Sequence, residues 1–422
     1  MQYSAPRGTA DVLPSDSPRW RFLENRFRET CRLFGYEELR TPTFEETELF
    51  TRSIGEHTDI VGKEMYTFTD KGGRSITLRP EGTAPVSRAY IQHKLYGETP
   101  VNKIYYISSI FRYERPQAGR LREHHQVGIE AIGSPDPAID AEVISLGMQY
   151  LTSLGIRDLS LKINSVGCPN CRPAYREALK QAVAPYMDEL CDNCQKRYEF
   201  NPLRMLDCKV PRCGELTVDV PGIIDYLCDD CSCHFADVLK YLDLYSIPYR
   251  QDNRLVRGFD YYTKTAFEVV SSSLGSQNAV LAGGRYDGLI EQMGGPATPA
   301  IGFGSGIERQ LVIMQEQGIE ICAGDRLDVY VATLGESTRD TGLKLLAELR
   351  GAGISANADY SGKSLKAQMK AAGREGASLV IIIGEDELNQ GIVKIRNMDT
   401  KEESIANLID AVSAVEEIIG AR

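Results

Sequence analysis

Several side chains in this sequence are of types and spacings that could act on a phosphate. In FRYERPQAGRLREHHQVGIEAIG, residues 111–133, an extended run carrying Arg112 and Glu114 leads through a loop with Gly119, Arg120 and Arg122 into a second extended run. Alternation along a strand would set Arg112 and Glu114 side by side on one face. An arginine fork suits bidentate contact with phosphate, and a neighbouring carboxylate can orient it or accept a bond from a nucleobase amine. In the second run Gln126, Gly128 and Glu130 share a face. A glycine between two polar groups would leave room for a ligand. Farther on, Arg257 precedes Gly258, where glycine permits close approach of the backbone.

A second set of reactive residues is the cysteines. Nine of the eleven fall between Cys168 and His234. Eight of them form close pairs: Cys168 with Cys171, Cys191 with Cys194, Cys208 with Cys213, and Cys228 with Cys231. Pairs separated by two residues chelate a tetrahedral ion from a turn, and two pairs complete a four-thiolate site. The eight thiols could hold one or two structural zinc ions, with Cys233 and His234 as substitutes. Spacing leaves open which pairs share an ion, and free thiols are the alternative. Four protein ligands would leave no position for a catalytic water.

These groups need elements to carry them. A chain of 422 residues exceeds one ordinary core and implies two or three domains. With 42% hydrophobic and 25% charged residues it reads as a folded protein with no membrane partner, its longest aliphatic run, Leu379 to Ile383, being far too short to span a bilayer. No export signal is evident at the N-terminus, so cytoplasmic residence is expected. The net charge of −11 argues against indiscriminate nucleic-acid binding, though not against a folded RNA met by a local basic surface. A helical pattern covers Arg19 to Leu33 and an extended run Tyr36 to Pro42. Strand-like runs recur at Ser75 to Leu78, Lys103 to Phe111, Gln126 to Ile132, Ser160 to Asn164, Ala266 to Val270 and Ala300 to Phe303. Strands that follow one another with few intervening helices predict an α+β fold on a mainly antiparallel sheet.

The cysteine-rich stretch, 168–234, reads as an inserted module with helical segments at Ala174 to Ala184 and Ile223 to Leu227. From residue 326 to 422 a small α/β domain is expected: strands at Asp328 to Thr333, Ser355 to Ala358, Leu379 to Ile383 and Ile392 to Arg396, and helices at Ser337 to Ala352, Ser364 to Gly376 and Ser404 to Ile419. Lys363, Lys366, Lys370 and Arg374 recur at spacings of three, four and four, which puts them on one helix face as a solvated stripe or an RNA contact.

The 111–133 hairpin resembles motif 2 of the class II aminoacyl-tRNA synthetases, in the form typical of histidyl-tRNA synthetases. RGTADVLP at Arg7 to Pro14 resembles that family's N-terminal signature, and LRPEGTAPVSR at Leu78 to Arg88 its amino-acid loop. LVRGFDYYTKTAFEVV at Leu255 to Val270 is similar to its histidine-specific peptide, and AIGFGSGIERQ at Ala300 to Gln310 to motif 3. The last domain resembles an anticodon-binding domain. The resemblance implies a class II catalytic domain over 1–325, interrupted by the cysteine module, and an anticodon-binding domain over 326–422. It implies an ATP-dependent ligase that activates L-histidine to the adenylate and transfers it to the 3′ end of tRNA-His. Mg²⁺ would accompany the ATP.

By the same resemblance Glu81, Gly82 and Thr83 would meet the ammonium of histidine, with Gln126 nearby. Glu130 and Tyr262, with Tyr261 beside it, would frame the imidazole. Residues 283–295, GGRYDGLIEQMGG, lack the lysine and spacing of a phosphate loop and read as a wall of that pocket, with Tyr286 near the substrate. Arg112 would contact the α-phosphate, Arg120 and Arg309 the nucleotide, and Glu114 the adenine or its metal-bound phosphates. Arg257 would be the additional catalytic arginine. The family's motif 1, matched around Leu33 to Phe50, implies a homodimer. Motif 2 carries Tyr113 where many relatives have histidine, and His124 where an aromatic is common. A second function stays open: a non-catalytic paralogue that regulates ATP phosphoribosyltransferase. Such a paralogue typically lacks the last domain and parts of the arginine peptide, both present here.

Overall fold

The computed structural model describes residues 3–420 except 56–57, 118, 275–277 and 322–325. Contacts divide the chain into two compact units, Met1–Cys322 and Ala323–Arg422.

The strands of the first unit are β1 (Glu37–Glu38), β2 (Phe44–Glu46), β3 (Tyr66–Thr69), β4 (Ser75–Leu78), β5 (Asn102–Phe111), β6 (Glu123–Ile132), β7 (Leu159–Ser165), β8 (Tyr249–Gln251), β9 (Thr263–Ser271), β10 (Ala279–Arg285) and β11 (Ala300–Gly306). Eight of them form one sheet in the order β1-β5-β6-β11-β10-β9-β7-β8, and β2-β4-β3 form a small second one. The outermost pairings of the large sheet, β1 with β5 and β7 with β8, are parallel. Those between are antiparallel, as the sparse helices between strands led us to expect. The expected extended run at Tyr36 to Pro42 contributes only the two residues of β1.

Alternation gives this sheet two unlike faces. Val127, Ile129, Leu161, Ile163, Phe267, Val269, Leu281, Ile301 and Phe303 point into one large core. Helices Ser17–Leu33, Pro137–Ser153, Asp229–Leu244 and Ile307–Glu316 close it with Phe27, Ile144, Tyr150, Val238 and Ile313, among others. The Pro137–Ser153 helix starts where Asp136 accepts a hydrogen bond from Ala138 N at 2.8 Å with proline in its first turn, a strong local start signal. The opposite face carries Gln126, Gly128, Glu130, Gly302 and Gly304 in register.

One arginine pins helix to sheet. Arg285, at the end of β10, is fully buried and pairs with Asp140 of the Pro137–Ser153 helix. It also donates to Ser134 O at 3.0 Å and reaches Asp287 at 3.1 Å, while His234 Nε2 lies 3.2 Å from Asp140 Oδ1. Burial works to raise the pKa of Asp140, but Arg285 and His234 outweigh it and hold the carboxyl below its ordinary value.

In the second unit β12 (Val329–Thr333), β13 (Ala356–Ala358), β14 (Leu379–Ile383), β15 (Ile392–Asn397) and β16 (Glu403–Asn407) form a sheet in the order β13-β12-β14-β15-β16. The first three run parallel; β15 and β16 are antiparallel. The expected helix from Ser404 to Ile419 is therefore corrected: Glu403–Asn407 pairs with β15, and the helix begins at Ala411. The turn after Asn397, with Lys401 at φ 69°, folds the chain back, and pairing overrides the weak local preference of Ser-Ile-Ala-Asn. The helix Glu385–Gln390 was not anticipated.

Removing Asp140 would leave the fully buried Arg285 with the partly exposed Asp287 as its remaining carboxylate. We expect Asp140→Ala to lower stability by about 3 kcal/mol, the low end of the usual penalty for breaking a buried ion pair. Guanidinium unfolding of the full chain would measure it, and a loss under about 1 kcal/mol would remove this pair as a support.

Candidate active site

The opposite face, part of which the helix Thr83–Gln92 covers in a second core with Ile104 and Tyr106, owes its depth to glycine. A Cβ on Gly302 would lie 1.9 Å from Glu130 Oε2, and one on Gly304 1.5 Å from Gln126 Nε2. Those absences let two polar side chains of β6 lie flat against β11. Gly128 behaves otherwise than expected: a Cβ there would meet Tyr106 Cζ at 2.3 Å, so the space it leaves holds the Tyr106 ring, not a ligand.

Above this floor is a cavity of about 300 Å³. Its lining brings together Glu81, Thr83, Arg112, Glu114, Arg120, Gln126, Arg257, Tyr261, Tyr262, Tyr286 and Arg309. Gly82 and Glu130 are outside the lining. Gly82 packs on Tyr106, and Glu130 is held behind the wall by a 2.7 Å bond from Thr83 Oγ1 and another from the Tyr286 hydroxyl. Burial pushes the Glu130 carboxyl up to about 8 against these two donors. Glu81 accepts from Thr83 N at 2.6 Å and Ala84 N at 2.8 Å, so it caps the helix Thr83–Gln92 while facing the cavity; burial raises its pKa.

Arg112 and Glu114 were expected on one strand face. The strand ends at Phe111, and both lie in the loop beyond it. The loop still brings them together: Arg112 Nη1 is 3.9 Å from Glu114 Oε1, and Glu114 also pairs with Arg120. Arg112 Nε donates to Pro80 O at 2.7 Å, and its guanidinium lies 5.9 Å from the centre of the Phe259 ring. Arg309, on the helix that follows β11, donates to Ala279 O at 2.7 Å. Burial, then Arg120, pull its pKa down. Arg257 pairs with Glu268 of β9 and lies 5.7 Å from the centre of the Tyr262 ring. Burial opposes its charge, yet Glu268 and Tyr262 prevail and raise its pKa.

Lining residues that were not singled out as site residues include Glu268, Glu308, Phe259 and His124. Glu268 had a visible signal, a carboxylate between Phe267 and Val269 in an apolar strand. His124 is driven down to about 3 by burial and the nearby Arg112, so it stays neutral. The Gln126 Oε1 and Tyr261 Oη atoms are buried without a hydrogen-bond partner among the described residues, polar groups available to a ligand.

The lysine stripe belongs to the second unit. Lys366, Lys370 and Arg374 are exposed on the helix Leu365–Arg374, but Lys363 precedes it and is 3.9 Å from Asp359, so the four do not share one helix. The cysteines fall into two separate groups, Cys168, Cys171, Cys228 and Cys231, and Cys191, Cys194, Cys208 and Cys213. Cys233 is exposed and His234 is bound to Asp140, so neither takes part.

The chain matches the histidyl-tRNA synthetase family over residues 8–171 and 219–309 and an anticodon-binding domain over 328–418. It is 53% identical to the histidine–tRNA ligase of Caldanaerobacter subterraneus subsp. tengcongensis, over 96% of this chain and 97% of that one. It is 52% identical to that of Halothermothrix orenii, over 97% and 99%. The structure of apo S. aureus histidyl-tRNA synthetase superposes with a TM-score of 0.84 at 40% identity, over 98% of this chain and all of that one. Fold, arginine-lined cavity and these matches define an aminoacyl-tRNA synthetase. Within that class, the chain belongs to the histidyl-tRNA synthetase family.

Glu130 carries a pH signature. Its folded pKa of about 8 exceeds the ordinary 4.5, so the native state holds this proton more tightly than the unfolded chain does. Its stabilising contribution is complete below 4.5 and fades as pH rises to about 8. Glu130→Gln should remove that loss, so the melting temperature of the variant should gain on the parent between pH 5 and pH 8. Parallel curves across that range would show Glu130 to be ionised throughout.

Proposed function

We propose that this cavity activates L-histidine with ATP and passes the histidyl group to the 3′ end of tRNA-His. The observation that carries this reading is the convergence of Arg112, Arg257 and Arg309 on one small cavity whose other walls are Glu81, Thr83, Gln126 and three tyrosines. Histidine presents an ammonium, a carboxylate and an imidazole. Glu81, Thr83 and Gln126 suit the first, and Tyr261, Tyr262 and Tyr286, backed by Glu130, the last. The unpartnered Gln126 and Tyr261 oxygens are acceptors of the kind these groups need.

In the first step a histidine carboxylate oxygen attacks the α-phosphorus, the bond to the bridging oxygen breaks, and pyrophosphate leaves. Negative charge gathers on the α-phosphoryl oxygens. Arg112 and Arg257 answer that charge, while Arg120 and Arg309 serve the departing phosphates. In the second step a terminal ribose hydroxyl of the tRNA attacks the adenylate carbonyl and AMP leaves.

As a class II synthetase the enzyme uses ATP with Mg²⁺. Glu114 and Glu268 are the carboxylates nearest in kind to metal ligands, and each is already paired with an arginine. The ion therefore arrives on the phosphates. In this reading the cysteine module carries structural zinc and takes no part in the chemistry.

Among the described residues no helix is long and apolar enough to cross a membrane, which fits a cytoplasmic enzyme. Exposed Phe44, between Pro42 and Glu45 of a groove of about 720 Å³ that Leu39, Leu49 and Met293 also line, favours a homodimer through the motif 1 region. The regulatory reading is disfavoured by the anticodon-binding domain and by the intact arginine peptide.

Exchange of pyrophosphate into ATP, run with each of the twenty amino acids, tests the proposal: only histidine should support it. Arg257→Ala should slow that exchange by about 10²–10³-fold at saturation while histidine affinity changes little, because its partner is charge that develops in the transition state. Weakened histidine binding with unchanged turnover would refute its role. Lys366→Glu with Lys370→Glu should lower charging of tRNA and leave exchange untouched; unchanged charging would make the stripe an ordinary solvated surface.

A further inference from the structure

We infer that the cysteine module holds two zinc ions, and that through Arg172 and Arg204 it positions the peptide that carries Arg257. This rests on the synthetase reading of the cavity and extends it to what keeps the arginine peptide in place.

Two sites follow from geometry. Within each group the ligand atoms lie within 4.8 Å of one another. Sγ separations are 3.6 Å for Cys168–Cys171, 3.7 Å for Cys168–Cys228, 3.8 Å for Cys171–Cys231 and 3.8 Å for Cys191–Cys208. Bonded sulfurs would be about 2.05 Å apart. Four thiolates at the ~2.3 Å bond length of tetrahedral zinc have edges of about 3.8 Å. Backbone amides add to the fit: Cys168 N donates to Cys171 Sγ at 3.1 Å, and Cys191 N to Cys213 Sγ at 3.3 Å, as suits sulfur carrying negative charge.

The sites do different mechanical jobs. The first joins the two ends of the insert, at the turn before the helix Arg172–Val183 and the turn that opens Asp229–Leu244. The second closes the stretch from Cys191 to Cys213 inside it. Between them is only a small core around Tyr175, Leu179, Val183, Leu190 and Met205, of the size that usually needs a staple.

Each site then presents groups to the arginine peptide. Arg172, the residue after Cys171, donates to Val166 O at 2.9 Å and to Tyr262 O. Arg204, in the stretch between Cys194 and Cys208, donates to Gly258 O, and its own carbonyl is held by Arg197 at 3.2 Å. Asn201, in that same stretch, donates to Asp260 Oδ1 at 2.7 Å. Residues 258, 260 and 262 are thus gripped from the module, flanking Arg257 and including the tyrosine that faces the substrate. Arg172 and Arg204 are positioning residues. Neither lines the cavity.

The full-length protein, purified without chelator, should contain two zinc ions per chain by elemental analysis. Cys168→Ser with Cys228→Ser, or Cys191→Ser with Cys208→Ser, should each reduce this to one. Arg204→Met should keep both ions and lower the saturating rate of histidine-dependent exchange by about 10-fold or more, as misplacement of a catalytic group does, with KM for histidine within about twofold. Arg172→Met, which frees the Tyr262 carbonyl, should instead raise KM for histidine. Arg204→Lys, retaining one donor, should recover part of the rate. Zinc at trace level would overturn the two sites. Two ions with parent-like kinetics in both arginine variants would overturn the positioning role. A parent that holds two ions yet exchanges no pyrophosphate with histidine would sink the synthetase reading instead. If the cysteine variants do not fold, the metal content of the parent and the arginine variants still decide both points.

Discussion

The pleat of β6 against β11 governs both what this protein can bind and what holds it together. Alternation sends Val127 and Ile129 of one strand, and Ile301 and Phe303 of the other, into the helix-covered core. The same alternation sends Gln126 and Glu130 to the open face, where Gly302 and Gly304 lie opposite or beside them. With distances of 1.9 and 1.5 Å to a hypothetical Cβ, alanine at either glycine would displace the polar side chain it shelters. A slip of one residue would bury the polar set and expose the apolar one. Core and substrate floor are therefore one constraint, and neither can drift without the other.

Over that floor the charges are balanced before any ligand arrives. Glu114 holds Arg120 and stands near Arg112, Glu268 holds Arg257, and His124 is kept neutral by its surroundings. Glu130 is pushed towards its protonated form, which spares the pocket an uncompensated anion behind the tyrosines. Carbonyls and carboxylates of the protein hold these arginines in place, which limits the reorganisation needed if phosphate charge develops beside them. Arg309, its pKa lowered by burial and by neighbouring arginines, is the cation that an incoming anion would relieve most directly.

Much of this was readable from residue types and order. β4 and the apolar run of β14 were found at their true limits and β5 within one residue, while β6 and β9 each begin three residues before the expected start. Eleven residues of the cavity lining were anticipated too, most of them through the family resemblance and not through residue types alone. What stayed hidden depends on neighbours distant in sequence. Glu403–Asn407 becomes a strand only because β15 is there to pair with. Gly128 is small for the sake of Tyr106, which no local pattern announces. Arg112 and Glu114 meet across a loop, not along a strand, so the contact was right and its cause was not. The grouping of eight cysteines into two sets needed the module to be folded, since Cys168 and Cys228 are sixty positions apart and any pairing of pairs fits the spacing alone.

The peptide between β8 and β9 explains why a module outside the sheet can bear on the chemistry. Residues 255–262 precede the first ladder bond of β9 at Thr263 and join no strand ladder, their one tie to β7 among the described residues being the bond from Asn164 Nδ2 to Leu255 O at 3.0 Å. Their backbone is tied locally by Leu255 N to Asp252 O at 2.9 Å and Asp260 N to Ile54 O at 3.3 Å. For the role proposed for Arg257 so few restraints would not suffice, since small misplacements of a catalytic group cost orders of magnitude in rate. Glu268 fixes its guanidinium, and side chains from outside the sheet hold the backbone around it. The family match covers residues 8–171 and 219–309, so Arg204 and Asn201 lie between its two matched parts. The peptide they support lies wholly within the matched part. A peptide outside the sheet's ladders can thus be braced by a neighbouring module, provided the brace is stiff. A small core alone gives little stiffness, and two four-thiolate clamps would supply it.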